Sequence, residues 1–206
     1  MSLSSEDVTD ENLMARFQRG DRTAFTQLVR RHQAHLFNFA LRQLGAQAVA
    51  EEVVQDAFVR VVQSASEFKH EARFTTWVYT IVRNLCVDQL RRRALRRHPS
   101  LDAPRTSPKG EENGPTLLEQ TADPRSSAER EATDTELRER IIRAVEALPE
   151  EQREVFLLRE FSNLPFKDIS IVTGVPENTV KSRMRYALER LQQALCDYEE
   201  YARALR

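Results

Sequence analysis

Near the carboxyl end of the sequence, Asn178, Lys181, Ser182 and Arg185 recur at three- and four-residue spacing, with Thr179, Arg183 and Tyr186 beside them. On a helix, that spacing gathers amide, hydroxyl and cationic groups on one face. Short polar side chains reach base edges and Lys and Arg meet phosphates, so the chemistry is recognition of duplex nucleic acid rather than bond making. A second set lies in Phe74–Arg97, which opens with Phe74, Trp77 and Tyr79 and closes with Arg91, Arg92, Arg93, Arg96 and Arg97. Rings beside phosphate-seeking groups suit nucleic acid with its bases unpaired. An amphipathic helix with a solvated basic end has the same composition.

Other chemistries find little support. The 206 residues contain no P-loop and no nucleophile paired with a base, so an enzyme is not expected. His32, His35, His70 and His98 share no ligand spacing with carboxylates or cysteines, and His32 reads as a residue at the edge of a core. Cys86 and Cys196 lie far apart in apolar helical stretches and read as buried free thiols of a reducing compartment. No metal and no cofactor is expected. No run approaches the ~18 apolar residues of a membrane span, and the opening MSLSSEDVTDEN is too acidic for a signal peptide. The expected location is the cytoplasm, without membrane insertion.

Lys and Arg number 31 against 32 Asp and Glu, so the net charge of -1 says nothing about a partner. Its distribution does. Residues 83–97 hold six arginines against the single Asp88, a local basic patch that suits a polyanion.

The positioning elements read as helices, because strand-like alternation is scarce and only 5 Gly and 8 Pro occur. Asp10 or Asn12 caps a first helix that stops at Gly20, and Asp21 or Thr23 opens a longer one ending near Gly45. A third, from Ala48 to Ser64, carries the apolar pairs Val53/Val54, Ala57/Phe58 and Val61/Val62, enough to pack on two neighbours. Its other face presents Glu51, Glu52, Gln55, Asp56 and Arg60. A polar connection, Glu67–Arg73, leads into the Phe74–Arg97 helix, whose apolar face is Trp77, Val78, Ile81, Val82, Leu85 and Leu90.

From His98 to Thr133 the composition changes: Pro99, Pro104, Pro108, Pro115 and Pro124 fall here among Ser, Thr and acids. This reads as a flexible linker between two domains. The second domain begins near Asp134 with an amphipathic helix that ends before Pro149. Glu150–Phe161 follows, with Val155, Phe156 and Leu158 inward. Phe166–Thr173 is short, Gly174 turns the chain, and Pro176-Glu177-Asn178 opens the last helix. Its buried side is Val180, Met184, Ala187, Leu188, Leu191 and Leu195. A short helix, a glycine turn and a longer basic helix form a helix-turn-helix.

With both domains in view, the chain resembles the bacterial sigma factors of the extracytoplasmic-function (ECF) group. The matching segments are AEEVVQDAFVRVVQ (50–63), FTTWVYTIVRNLCVDQLRRR (74–93), LPEEQREVFLLREF (148–161) and FKDISIVTGVPENTVKSRMRYALERL (166–191). Asn163-Leu164-Pro165 stands where the family has small turn-forming residues, and Arg185 stands where relatives vary.

The resemblance implies an all-α protein with a sigma2-like helical bundle over 11–97, the linker over 98–133, and a sigma4-like helix-turn-helix domain over 134–200. It implies core RNA polymerase as a partner, through the beta-prime clamp helices and the beta flap, with Glu52, Gln55, Asp56 and Arg60 facing the clamp. It implies promoter DNA as the other partner. The last helix would read the -35 element as duplex, through Asn178, Thr179, Lys181, Ser182, Arg183, Arg185 and Tyr186. Lys69, His70, Arg73, Asn84, Asp88, Arg91, Arg92 and Arg93 would melt and hold the -10 element, with the Lys69–Arg73 loop around a flipped base. Trp77 is read as core or as a stacking group. Members of the group are commonly held inactive by an anti-sigma factor, which adds a further partner to look for. The alternatives from the residues alone are a stand-alone helix-turn-helix regulator that binds duplex DNA without polymerase, and a helical adaptor that binds only proteins.

Overall fold

The computed structural model describes the backbone of residues 9–69, 72–97 and 128–204, and the side chains of 9–69, 72–95 and 137–196. His70, most of the expected linker, and the side chains of Arg96 and Arg97 lie outside the described residues. The described chain is helical throughout, with α1 (Asp10–Gln18), α2 (Arg22–Leu44), α3 (Gln47–Gln63), a 3-10 turn (Ala65–Glu67) and α4 (Phe74–Arg97) in the first domain. The second holds α5 (Ala128–Glu146), α6 (Glu150–Glu160), α7 (Phe166–Thr173) and α8 (Glu177–Ala204). The helix expected near Asp134 thus begins six residues earlier, inside the stretch read as linker.

Local chemistry sets the ends of these helices. Thr9, rather than Asp10 or Asn12, caps α1, its hydroxyl oxygen accepting from the Asn12 N–H at 3.3 Å. Asp21 caps α2, accepting from the N–H groups of Thr23 (2.9 Å) and Ala24 (3.3 Å). Gly45 ends α2 in the left-handed conformation at φ 65, donating to the Leu41 carbonyl at 2.7 Å. In the second domain the caps are Pro149 and Pro165, with no side-chain hydrogen bond, and Gly174 closes α7 at φ 72. Asn163 takes φ 50, a left-handed conformation that turns the chain before α7.

The first core is made by α1–α4. Leu13 and Met14 of α1, Leu28 and Phe39 of α2, Val53 and Val61 of α3, and Phe74 and Val78 of α4 are all buried. Burying each large side chain contributes roughly 1.5–3 kcal/mol relative to exposure. The second core joins Val155, Leu157 and Leu158 of α6 to Ile169 of α7 and Val180 and Ala187 of α8. Leu157 was not expected inside. Leu188, expected on the buried side of α8, is 49% exposed, because α5, α6 and α7 cover only the stripe through Val180, Met184, Ala187 and Leu191. Val62 likewise faces outward while Val61 takes the core position. Cys196, expected to be buried, is exposed, whereas Cys86 is buried.

The two domains also touch. α7 lies on α4, and α6 on α2. Arg83 Nε of α4 donates to Glu154 Oε1 of α6 at 2.8 Å, and Arg73 stands 3.6 Å from Asp168 of α7. The Arg42 guanidinium lies 4.3 Å from the centre of the Phe161 ring.

Candidate nucleic-acid interface

The face predicted on α8 is intact. Gly174 and Pro176 turn the chain from α7 into α8, and Val180, Met184 and Ala187 bury one stripe of α8 against α6 and α7. The opposite stripe is therefore left to solvent: Asn178, Lys181, Ser182, Arg185 and Tyr186 are exposed, and Thr179 and Arg183 half-buried. Nearby acids hold the cations. Lys181 pairs with Glu177 at 2.6 Å, Arg183 with Glu151 at 2.6 Å, and Arg185 with Glu189 at 3.7 Å while resting 4.8 Å from the Tyr186 ring centre. Surface pairs of this kind hold by less than about 1 kcal/mol, so phosphate can displace the acids. The Ser182 hydroxyl donates to the Asn178 carbonyl at 2.9 Å.

The α4 face is arranged differently. Two of its three opening aromatics belong to the core. Phe74 is 0% and Tyr79 3% exposed, and half-buried Trp77 packs on Phe68 and Phe74 with ring centres 5.1 and 6.1 Å away. Tyr79 lies edge-on against Phe39 at 5.5 Å, and burial raises its phenol pKa. Burial, and then the nearby Glu154 carboxylate, push the Cys86 thiol up to about 12, so it stays protonated and unreactive at neutral pH. Among the described side chains of α4, the polar ones exposed to solvent are Asn84, Asp88, Arg91 and Arg92, with Ala94 and Leu95 beside them. Arg93 is half-buried, and its Nη1 donates to the Leu44 carbonyl at 2.6 Å, closing the carboxyl end of α2 rather than facing solvent.

Before α4, Lys69 and Arg73 are exposed, and the Ala72 N–H donates to the Lys69 carbonyl at 3.0 Å. Phe68, just before Lys69, is 4% exposed and anchors the connection in the aromatic cluster.

On α3 the predicted polar set is exposed together: Glu52, Gln55, Asp56 and Arg60. Beside it runs an open apolar groove of about 370 Å³ between α2 and α3, formed by Phe25, Val29, Val54, Phe58, Val59 and Val62. Val59 and Val62 are 52% and 46% exposed. The sequence offered a signal for this groove, since the valine pairs of α3 are too wide a stripe for one core.

The comparisons with known proteins decide the family. The models for sigma-70 region 2 and sigma-70 region 4 match residues 28–96 and 138–191. The ECF RNA polymerase sigma-E factor of Escherichia coli K12 is 34% identical over 185 residues, 90% of this chain and 93% of the relative. The chain belongs to the ECF group of the sigma-70 family. The RNA polymerase sigma-H factor of Pseudomonas aeruginosa is 32% identical over 186 residues, again 90% of this chain and 93% of the relative. The solved structure of CnrH with the cytosolic domain of CnrY overlays at TM-score 0.62 and 25% identity, covering 92% of this chain and 97% of that one. The Bartonella quintana sigma factor RpoE, solved with the anti-sigma factor NepR, shares the fold at TM-score 0.60 and 22% identity, covering 83% of this chain and 96% of that one.

In this sigma factor the region 2 match takes in α3 and α4 with most of α2, and the region 4 match ends inside α8. α1 lies outside both. No helix among the described residues is long and apolar enough to cross a membrane.

Proposed function

We propose that this sigma factor divides its work among the outward faces of α3, α4 and α8. It directs promoter-specific transcription with core RNA polymerase in the cytoplasm, and the bond-making chemistry belongs to the polymerase. The outer face of α3 docks on the beta-prime clamp helices: Glu52, Gln55, Asp56 and Arg60 supply charge, and the groove with Val59 and Val62 supplies apolar area. The second domain docks on the beta flap. Asn178, Lys181, Ser182 and Arg185 enter the -35 duplex, with Thr179, Arg183 and Tyr186 at the rim. Asn84, Asp88, Arg91 and Arg92 line the melted -10 strand, and Lys69 and Arg73 flank the base taken out of the stack. His70 belongs to the same loop, and Arg93 acts by holding α4 against α2.

Unstacking costs a few kcal/mol per base, and strand contacts offset it without nucleotide hydrolysis. The -35 and -10 elements lie ~25 base pairs apart, ~85 Å of duplex at about 3.4 Å per step. A chain in which α7 rests on α4 cannot span that distance, so the domains part on the way to the promoter and Arg73 leaves Asp168.

The observation that supports this reading most strongly is the order of the two sigma-70 matches on one chain, each carrying an outward polar or basic helical face. Run-off transcription with purified core polymerase tests it. The expected result is a specific transcript from a promoter that the chain alone binds poorly. A palindromic footprint unchanged by polymerase would establish a stand-alone regulator instead. An anti-sigma factor, as in the solved RpoE–NepR pair, is the regulatory partner expected in cells.

A further inference from the structure

α1 reaches across to both ends of the connection that precedes α4. At one end the Gln18 side-chain amide donates to two carbonyls, Ala65 at 2.7 Å and Phe68 at 3.0 Å. At the other the Glu11 carboxylate accepts from the backbone N–H of Phe74, the first residue of α4, at 3.0 Å. Glu11 and Gln18 are seven residues apart, so they share one face of α1 about 10 Å from each other. Leu13 and Met14, between them, are wholly buried and fix α1 to the core. A carboxylate at a helix amino terminus also meets the positive end of its dipole. None of the three bonds is local in sequence: the partners are 63, 47 and 50 residues away.

From this geometry we infer that Glu11 and Gln18 are positioning residues for promoter opening: α1 acts as a two-point brace that sets Lys69 and Arg73 for capture of the unstacked base. The inference rests on the proposed role of Lys69 and Arg73. The brace works through backbone. Gln18 fixes the carbonyl of Phe68, the residue before Lys69. Glu11 fixes the N–H of Phe74, the residue after Arg73. Phe68 and Phe74 are then held edge to face at 6.1 Å, so the two ends of the connection cannot slide past each other. With the ends set, Lys69 and Arg73 meet the strand already in place and pay less ordering entropy at the moment of capture.

The test uses full-length chain with core polymerase on a promoter chosen by run-off transcription, with 2-aminopurine in the -10 non-template strand as the probe of opening. The variants are Glu11→Ala, Glu11→Gln, Gln18→Leu and the pair Glu11→Ala/Gln18→Leu. The controls are Leu13→Val, a core change in α1 that leaves both bonds in place, and Lys69→Ala/Arg73→Ala. Expected is opening roughly tenfold slower for Glu11→Ala and more for the pair, the size that follows from losing a charge-assisted bond. Core affinity and -35 duplex binding stay unchanged, and Glu11→Gln, which keeps an acceptor, recovers part of the rate. Wild-type opening in the α1 variants, with slow opening in Lys69→Ala/Arg73→Ala, overturns the brace and leaves the loop's role standing. Wild-type opening in all of them overturns both. An equal defect in Leu13→Val at matched thermal stability also overturns the brace, because α1 would then be acting only through the core.

Discussion

α4 and α8 are both long helices that carry a polar face proposed for nucleic acid, yet they are built on different terms. α8 packs along one stripe and leaves the other to solvent, so its polar residues form one continuous face. α4 is covered from several directions, by α1, α2 and α3 of its own domain and by α7 of the other. Its Phe74 and Tyr79 are therefore core, and the exposed residues among its described side chains are Asn84, Asp88, Arg91, Arg92, Ala94 and Leu95. A helix that reads rigid duplex can stand free. One that holds a melted strand has to be fixed on every other side, because the strand supplies no shape of its own.

The sharpest way to break this contrast is through the aromatics. Phe74→Ala should lower stability by about 3–5 kcal/mol, as for deletion of a buried ring, while Tyr186→Ala, 45% exposed on α8, should change it by less than about 0.5 kcal/mol. Thermal melts of the two variants decide; equal losses would put the rings of both helices in the same class.

Function should divide the same way. Lys181→Ala and Arg185→Ala should each weaken -35 duplex binding by about 1–3 kcal/mol, whereas Asn84→Ala should leave that binding and slow opening. Gel shift on duplex and permanganate footprinting of holoenzyme separate the two. If both sets gave one defect, the division of labour proposed here would fail.

The contact between domains predicts a third result. Glu154 keeps only 10% of its side-chain surface, and its carboxylate pairs with Arg83. Arg83→Ala should cost about 1–2 kcal/mol, since an acid is left nearly buried without its cation, and Arg83→Ala/Glu154→Ala should recover part of it. A denaturant double-mutant cycle measures the coupling, and zero coupling would mean the domains do not hold one another through this pair.

Within the arginine run, Arg91→Ala and Arg92→Ala should each reduce the salt slope of promoter binding by about 1. Arg93→Ala should instead cost about 1 kcal/mol of stability, because its guanidinium closes the Leu44 carbonyl. Binding isotherms over a salt series, beside melts, distinguish the two behaviours.

The smallest effect concerns acid. A hydrogen bond from the Thr23 hydroxyl and then one from the Arg16 guanidinium lower the Asp21 carboxyl to about 2 from 3.8. A carboxyl depressed in the folded state stabilises fully above its unfolded value, and the contribution is lost as pH falls through the folded one. Asp21→Asn should therefore flatten the melting temperature between about pH 4 and pH 2. The second domain, whose α6 and α7 start at proline without a side-chain cap, has no counterpart to this group at those two helix starts.

Much of this was legible in the residues. Asp21, Gly45, Gly174 and Pro149 marked helix ends because capping and turn chemistry are local. The α8 face was legible because a helix with one covered stripe writes its burial as a period. The sequence leaves the aromatics of α4 open between core and stacking, since a ring that stacks on bases and a ring that packs on Phe39 look alike in composition. Leu188 failed for the related reason that an apolar residue next to a core stripe carries no mark of whether a neighbour covers it. Gln18 and Glu11 left no signal at all, since their acceptors and donor lie more than forty residues away.

By itself the sequence determined an all-helical chain in two parts, the helix-turn-helix, the local basic patch and the family. The first three rest on spacing, caps and charge, which act over a turn or two of chain, and the family rests on the resemblance of four segments in order. Only the tertiary structure decided that Phe74 and Tyr79 of α4 are core, that Arg93 and Glu11 hold backbone, and that α7 lies on α4. Each of those depends on which distant surfaces meet, and burial is settled by neighbours in space rather than by neighbours in sequence.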